Sequence, residues 1–267
     1  MLPASAEKPA VPRIKRFSWS ALPSLVLALA AAWTLPAQAA DVVVSAAASL
    51  TNAFQRVAKV YEARHPGTRI VLNFAASDVL LQQIVNGAPA DVFASADQAT
   101  MDKAAAAKLI RQDSRKNFAL NQLVLIQPTG HALQLSGLQD VTRPAVKRIA
   151  LGDPATVPAG RYTRSVLEAD GLWKAVSPKA VLAQNVRQSL DYVARDEVDA
   201  GFVYATDAAI MPGKVKVVAR VPSTMPIEYP IAVLAGSKHP DDARAFEQFV
   251  LSDEGQKLLS AYGFAKP

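Results

Sequence analysis

Two serines, Ser49 and Ser77, stand where a short apolar run gives way to a segment of helical spacing. Ser49 lies in Ser45-Ala46-Ala47-Ala48-Ser49-Leu50-Thr51-Asn52-Ala53-Phe54, and Ser77 in Asn73-Phe74-Ala75-Ala76-Ser77-Asp78-Val79-Leu80. A hydroxyl at a strand-to-helix junction sits beside the N–H groups of the first helical turn, which lack intrahelical acceptors. Donors converge there and the helix dipole favours negative charge, so the arrangement suits a small oxyanion. Serine is also a favoured N-cap, so one such junction is ordinary. Two built alike, each ending in Ala-Ala-Ser, point to a site made of hydroxyls and backbone.

If strands and helices alternate along the chain, ligands bind beyond the carboxyl ends of the strands, where loops run into helices. Three later loops then join the two serines: Val157-Pro158-Ala159-Gly160, Asn185-Val186-Arg187, and Tyr204 at the end of an apolar run. Ala159 and Val186 carry no polar side chain, but their backbone N–H groups fall near helix starts and can donate. Pro158 has no N–H, so Ala159 offers the first free donor after it. Tyr204 adds a phenolic donor.

The elements that must hold these loops follow from periodicity. Apolar runs alternate with helical patterns from residue 42 onward, which predicts an α/β fold of βα units on a largely parallel sheet. Val42-Val43-Val44 opens the series. Phe54, Val57, Ala58 and Tyr61 then recur on one helical face, up to His65-Pro66-Gly67. Ile70-Val71-Leu72 is the next strand, and Leu80, Leu81, Ile84 and Val85 make a helix closed by Gly87. A strand at 91–94 leads to Asp97, which caps a helix carrying Met101, Ala104, Ala105 and Leu109. One longer strand is expected over 120–126. A second series begins near Ile149, with helices through Tyr162, Val166 and Leu167 and through Val186, Leu190 and Val193. Strands at 200–204 and 229–234 follow, then helical spacing through Phe246, Phe249, Val250, Leu258 and Leu259. No low-complexity linker separates the series. The boundary therefore falls in the strand at 120–127, with a return near 222–234. Two crossings make a hinged pair of lobes, 41–121 with 225–267 and 122–224.

The first 40 residues read as an export signal. Lys8, Arg13, Lys15 and Arg16 precede an apolar stretch from Leu22 to Leu35, and Ala37-Gln38-Ala39 is a cleavage signature, placing the cut after Ala39 or Ala40. The stretch is short for a membrane span. Removing its four basic residues and one acidic from totals of 29 and 23 leaves 25 and 22. The net charge falls to about +3, without a basic run, which disfavours nucleic acid as a partner. There is no cysteine. Disulfides, thiolate metal sites, cysteine nucleophiles and a lipid-anchored N-terminus are thereby excluded. A soluble protein of the bacterial periplasm is expected.

Several stretches together resemble the periplasmic molybdate-binding proteins of ABC transporters. They are Ala46-Ala-Ala-Ser49-Leu-Thr-Asn-Ala53, Phe74-Ala-Ala-Ser77, Gly87-Ala-Pro-Ala-Asp91-Val-Phe-Ala-Ser-Ala-Asp97-Gln98, Gly152-Asp-Pro154 and Val157-Pro-Ala-Gly160. Val186-Arg187, Tyr204, Glu228-Tyr-Pro-Ile231 and Tyr262-Gly-Phe264 complete the likeness, which runs in order over 41–267. The resemblance implies a type II periplasmic binding protein fold with an oxyanion held between the lobes by neutral donors. Carried onto matching positions, Ser49 and Ser77 hold it from one lobe, and the Ala159 and Val186 N–H groups with the Tyr204 hydroxyl hold it from the other. It further implies molybdate or tungstate as ligand, no cofactor or cation site, a membrane permease as partner, and a monomer without enzymatic activity. Sulfate or phosphate remains the alternative ligand, and an enzyme on the same fold a further alternative. The chain departs from the family at Asp78, where relatives can carry a small hydroxyl; its carboxylate is expected to point away from the anion.

The remaining polar residues have plainer readings. Arg161 and Arg187 flank the loops; they are expected as solvated surface arginines, with steering of an anion as the alternative. Asp97 is expected as a helix cap, Asp153 as a turn residue. His65, His131 and His239 lie beside Pro or Gly, away from the loop motifs. No Gly-x-Ser-x-Gly elbow, P-loop, dinucleotide glycine pattern or His-Glu-x-x-His motif is present.

Overall fold

A computed structural model describes residues 40–267. The export signal expected over 1–40 lies outside the described residues, except for Ala40, the first residue of β1. In chain order the elements are β1 Ala40–Ala47, α1 Thr51–Arg64, β2 Thr68–Ala75, α2 Ser77–Val85, β3 Val92–Ala94, α3 Gln98–Ala106 and β4 Lys116–Asn121. There follow β5 Leu123–Pro128, β6 Ile149–Gly152, α4 Pro158–Ala169, α5 Trp173–Val176, β7 Ala180–Ala183, α6 Val186–Ala194, β8 Ala200–Tyr204 and α7 Ala205–Ala208. The chain ends with β9 Val215–Val221, β10 Ile227–Val233, α8 Pro240–Leu251 and α9 Asp253–Ser260. Among the described residues no helix is long and apolar enough to cross a membrane.

The strands form two five-stranded sheets of the same design, ordered β2-β1-β3-β10-β4 and β7-β6-β8-β5-β9. In each, a central strand pairs parallel with two neighbours: β1 with β2 and β3, β6 with β7 and β8. The remaining two pairings in each sheet are antiparallel. The expectation of largely parallel sheets is therefore corrected to mixed ones. The parallel strands are those joined by helical crossovers. The antiparallel pairings all involve β5 or β10, strands that arrive from the other sheet without a helix before them and so escape that constraint.

The single strand expected over 120–126 is also corrected. Asn121 turns its side-chain oxygen onto the N–H of Gln122 at 2.8 Å, and the Gln122 carbonyl accepts from Ala205 N–H. The chain breaks there, so β4 stays in the first sheet and β5 enters the second. β9 and β10 make the return crossing. Two short or charge-bearing edge strands were not anticipated: β7, with three of four residues incompletely buried, and β9, which carries Lys216 and Arg220.

The first lobe is filled by an aromatic cluster in which Phe54 packs on Phe118 and Phe246, and Tyr61 on Phe246 and Phe249. The apolar face read from α1 is the buried one. In the second lobe the strand residues Leu151 and Phe202 pack with Leu167 and Leu190 from the covering helices. Gly160 fixes how closely α4 approaches β6: a Cβ there would stand 2.0 Å from the Gly152 carbonyl oxygen. Only glycine lets the first turn of α4 press against the strand end, which sets the place of Ala159.

Candidate ligand-binding site

The five positions singled out from sequence all line one small cavity between the two sheets. Ser49 sits in a 3-10 turn, Ala48–Leu50, between β1 and α1. Ser77 is the first residue of α2 and Val186 the first of α6. Ala159 follows Pro158 in the first turn of α4, and Tyr204 ends β8. The cavity is tight, with a volume of about 10 Å³. Ser77 is fully buried, Ala159 and Tyr204 are 1 % exposed, Ser49 2 % and Val186 4 %. The lobes are thus closed over the cavity. A wider, open groove at the back of the hinge, around Gln122 and Met225, gathers none of these donors.

Among the small apolar residues of the lining stand the hydroxyls of Ser49, Ser77 and Tyr204. The residues that open α2, α4 and α6 bring first-turn N–H groups that have no intrahelical acceptor. Asn185 caps α6 by accepting from Gln188 N–H at 3.0 Å, leaving the Val186 N–H to point elsewhere. Ser77 Oγ accepts from the Ala96 N–H at 3.0 Å, so one of its two lone pairs is engaged and its O–H proton is available to the cavity. Ser49 Oγ lies 3.0 Å from Tyr229 Oη, which takes a hydrogen bond from Asn121 Nδ2 at 3.2 Å. With Asn121 donating to Tyr229 and Tyr229 to Ser49, the Ser49 proton is also free to point inward, and such a chain polarises each bond. Tyr204 Oη is buried with no hydrogen-bond partner among the described residues. Burial pushes both the Tyr204 and Tyr229 phenols well above their ordinary values, so each remains a neutral donor. A buried hydroxyl without a partner carries a desolvation penalty of about 1–3 kcal/mol, which an acceptor in the cavity would relieve.

Charge around the cavity is balanced rather than positive. The expectation of solvated surface arginines at 161 and 187 is corrected: both cross between the lobes. Arg161 Nη2 lies 2.5 Å from Asp97 Oδ2 and 2.6 Å from Asp78 Oδ2. Arg187 donates to Asn52 Oδ1 at 2.6 Å and to the Ser49 carbonyl at 3.0 Å, and its Nε lies 2.6 Å from Asp207 Oδ1, off the line of a hydrogen bond. They are drawn in because Asp97 and Asp207 are buried carboxylates that need a cation. Burial pushes the Asp207 carboxyl up to about 6, with Arg187 opposing. Asp78 does turn away from the cavity, toward Thr100, Lys103 and Arg161. Burial raises its pKa, but Lys103, Arg161 and Thr100 outweigh that and hold it below the usual carboxylate range.

Asp97 caps α3 by accepting from Thr100 N–H, and Asp153 accepts from Ala155 N–H in a turn. His65 stacks on Tyr61, His131 contacts Asp196 and Asp199, and His239 precedes α8; none lines the cavity. Among the described residues no group of three His, Cys, Asp or Glu side chains is placed to hold a metal ion. Asn121, Tyr229 and the Ala96 N–H were not anticipated. Their signal was thin: a polar residue inside the apolar run at 120–126, and a tyrosine before a proline in a strand.

The sequence pattern of the family described as bacterial extracellular solute-binding protein matches residues 42–265. A molybdate-binding protein ModA from Escherichia coli is 37 % identical over 244 residues, covering 89 % of this chain and 94 % of that protein. A solved substrate-binding domain of a putative molybdenum ABC transporter from Clostridium difficile is 37 % identical, with a TM-score of 0.66 over 85 % of this chain and 99 % of its own. The sulfate-binding protein SubI of Mycobacterium tuberculosis superposes with a TM-score of 0.76 at 19 % identity, covering 85 % of this chain and 87 % of its own, which is a likeness of fold alone. Fold, motif order and the paired lobes agree: the chain belongs to the bacterial extracellular solute-binding proteins and, within them, to the family of the ModA molybdate-binding proteins.

Proposed function

We propose that the protein captures molybdate, and tungstate with it, in the periplasm and delivers the anion to the membrane permease of an ABC transporter, without catalysing a reaction. The observation that carries this reading is the closed cavity to which both lobes bring neutral donors, one of them the unpartnered Tyr204 hydroxyl. The dianion is the substrate of transport and offers only acceptors. The Ser49 and Ser77 hydroxyls and the Ala159, Val186 and Tyr204 groups can each supply a proton, and the Ser77 oxygen already accepts from the Ala96 N–H. Protonated phosphate would bring an O–H with no acceptor to meet it, at a cost of about 1–3 kcal/mol.

Each hydrogen bond to a charged ligand contributes about 1.5–3 kcal/mol. Five of them offset the desolvation of the anion and the cost of immobilising it, while closure of the lobes excludes water. Charge and hydrogen bonding do not separate molybdate from sulfate, so the size of the cavity must. Molybdate and tungstate are nearly equal in size and should bind alike. Held by hydrogen bonds from neutral donors, the anion stays releasable, which transport needs.

The test is calorimetric titration of the protein lacking its first 40 residues with molybdate, tungstate, sulfate and phosphate at one pH. One-to-one binding of the first two, with the others silent, supports the assignment. Stronger binding of sulfate or phosphate would overturn the choice of anion, and silence from all four would overturn the site.

A further inference from the structure

We propose that Arg161 and Arg187 are positioning residues that latch the two lobes together beside the cavity and so set how long a bound anion is retained. The inference rests on the oxyanion-site reading and concerns its regulation. Both arginines belong to the second lobe, on the helices whose first turns supply the Ala159 and Val186 N–H groups. Both reach partners in the first lobe that adjoin the serine donors. Arg161 grips Asp97 through Nε and Nη2, at 2.9 and 2.5 Å, and also meets Asp78, the neighbour of Ser77, and Thr100. Arg187 holds the Ser49 carbonyl itself and Asn52. Opening the cleft must break every one of these bonds at the same moment as it withdraws the donors from the anion.

The charges show why these arginines do not serve as anion attractors. Arg161 faces two carboxylates, and Lys103 shares one of them; Arg187 is backed by Asp207 on its own lobe. Their positive charge is spent on protein partners before any ligand arrives. Asp207, at the start of α7, also accepts from the Tyr204 N–H at 3.2 Å, so the anchor of one latch is tied to the donor at the end of β8.

The test pairs a radiolabelled-molybdate chase, for association and dissociation rates, with distances between spin labels placed at Lys59→Cys and Lys174→Cys, exposed positions on opposite lobes of a chain without other cysteines. Arg161→Met and Arg187→Met should each speed dissociation at least about tenfold, as a loss of about 1.4 kcal/mol does. Association should stay within about threefold and the order of preference among the four anions should not change. Asp97→Asn keeps a competent N-cap for α3 and should reproduce the Arg161→Met effect, which guards against a variant that merely misfolds. In the ligand-free protein the same substitutions should shift the label distances toward the open form. Slower association with unchanged dissociation would mean the arginines attract the anion, and overturns the latch. Unchanged rates and distances overturn it as well. Failure of the unmodified protein to bind molybdate would overturn the site reading instead, and the distances would still decide the latch.

Discussion

Replacing Tyr204 by Phe isolates one atom. The ring stays where it packs, tilted 63° against Tyr229 at 5.8 Å between centroids. The hydroxyl that disappears has no partner among the described residues, and the residue is 1 % exposed. Loss of a donor to a charged ligand costs about 1.5–3 kcal/mol, and each 1.4 kcal/mol is tenfold. The dissociation constant for molybdate should therefore rise roughly 10- to 100-fold. No intramolecular bond is lost and the desolvation cost of the unpartnered hydroxyl is removed, so denaturant unfolding without ligand should show no loss of stability and a gain of up to about 1–3 kcal/mol. Calorimetry gives the first quantity and unfolding monitored by circular dichroism the second. Affinity within about threefold of the parent would refute the claim that the hydroxyl awaits an anion. A fall in ligand-free stability as large as the fall in affinity would show that the hydroxyl serves the fold.

Ser49→Ala and Ser77→Ala should each weaken molybdate binding by about 1–3 kcal/mol, seen in the same titrations. Ser77→Ala should also lower ligand-free stability measurably, because it strands the buried Ala96 N–H, and equal affinity in both variants and parent would place the site elsewhere. Gly160→Ala puts a Cβ 2.0 Å from the Gly152 carbonyl oxygen and should cost about 1–3 kcal/mol in unfolding experiments, together with affinity as α4 backs away; a neutral result would contradict the close approach. Glu247, 3 % exposed with Oε1 unpartnered, has its carboxyl pushed by burial from 4.5 up to about 7, with Arg244 opposing. A raised folded-state value means the folded chain keeps a proton the unfolded chain has released, so this group's stabilisation is full below about pH 4.5 and is lost as pH rises toward 7. Glu247→Gln should therefore unfold about 1–3 kcal/mol later than the parent above pH 7 and show no advantage at about pH 4; the same difference at both would refute the assignment.

The site was legible in the sequence because it is local. A serine at a strand-to-helix junction, or the residue that follows a proline there, reveals its own N–H geometry, and all five positions meet at one cavity. What was not legible depends on partners far along the chain. Arg161 and Arg187 look like surface charges until the fold brings Asp97 and Asp207 to them, over 64 residues in the first case. Tyr229 and Ser49 are 180 residues apart, and nothing local announces their bond. The sheets follow the same rule. The strands β1, β2, β3 and β6 declare themselves by apolar runs before helical spacing, and β8 by its apolar run alone. The break at Gln122 depends on a single side chain turning back onto the backbone, which no periodicity reports.

A crystal structure of the protein grown with molybdate, with anomalous data at the molybdenum edge, tests the central claim most directly. The account predicts one strong peak in the cavity between the lobes, its oxygens about 2.7–3.2 Å from Ser49 Oγ, Ser77 Oγ, Ala159 N, Val186 N and Tyr204 Oη, with no cation beside it. A peak elsewhere, or one in the cavity contacted by an arginine or a metal ion in place of these five donors, would contradict it.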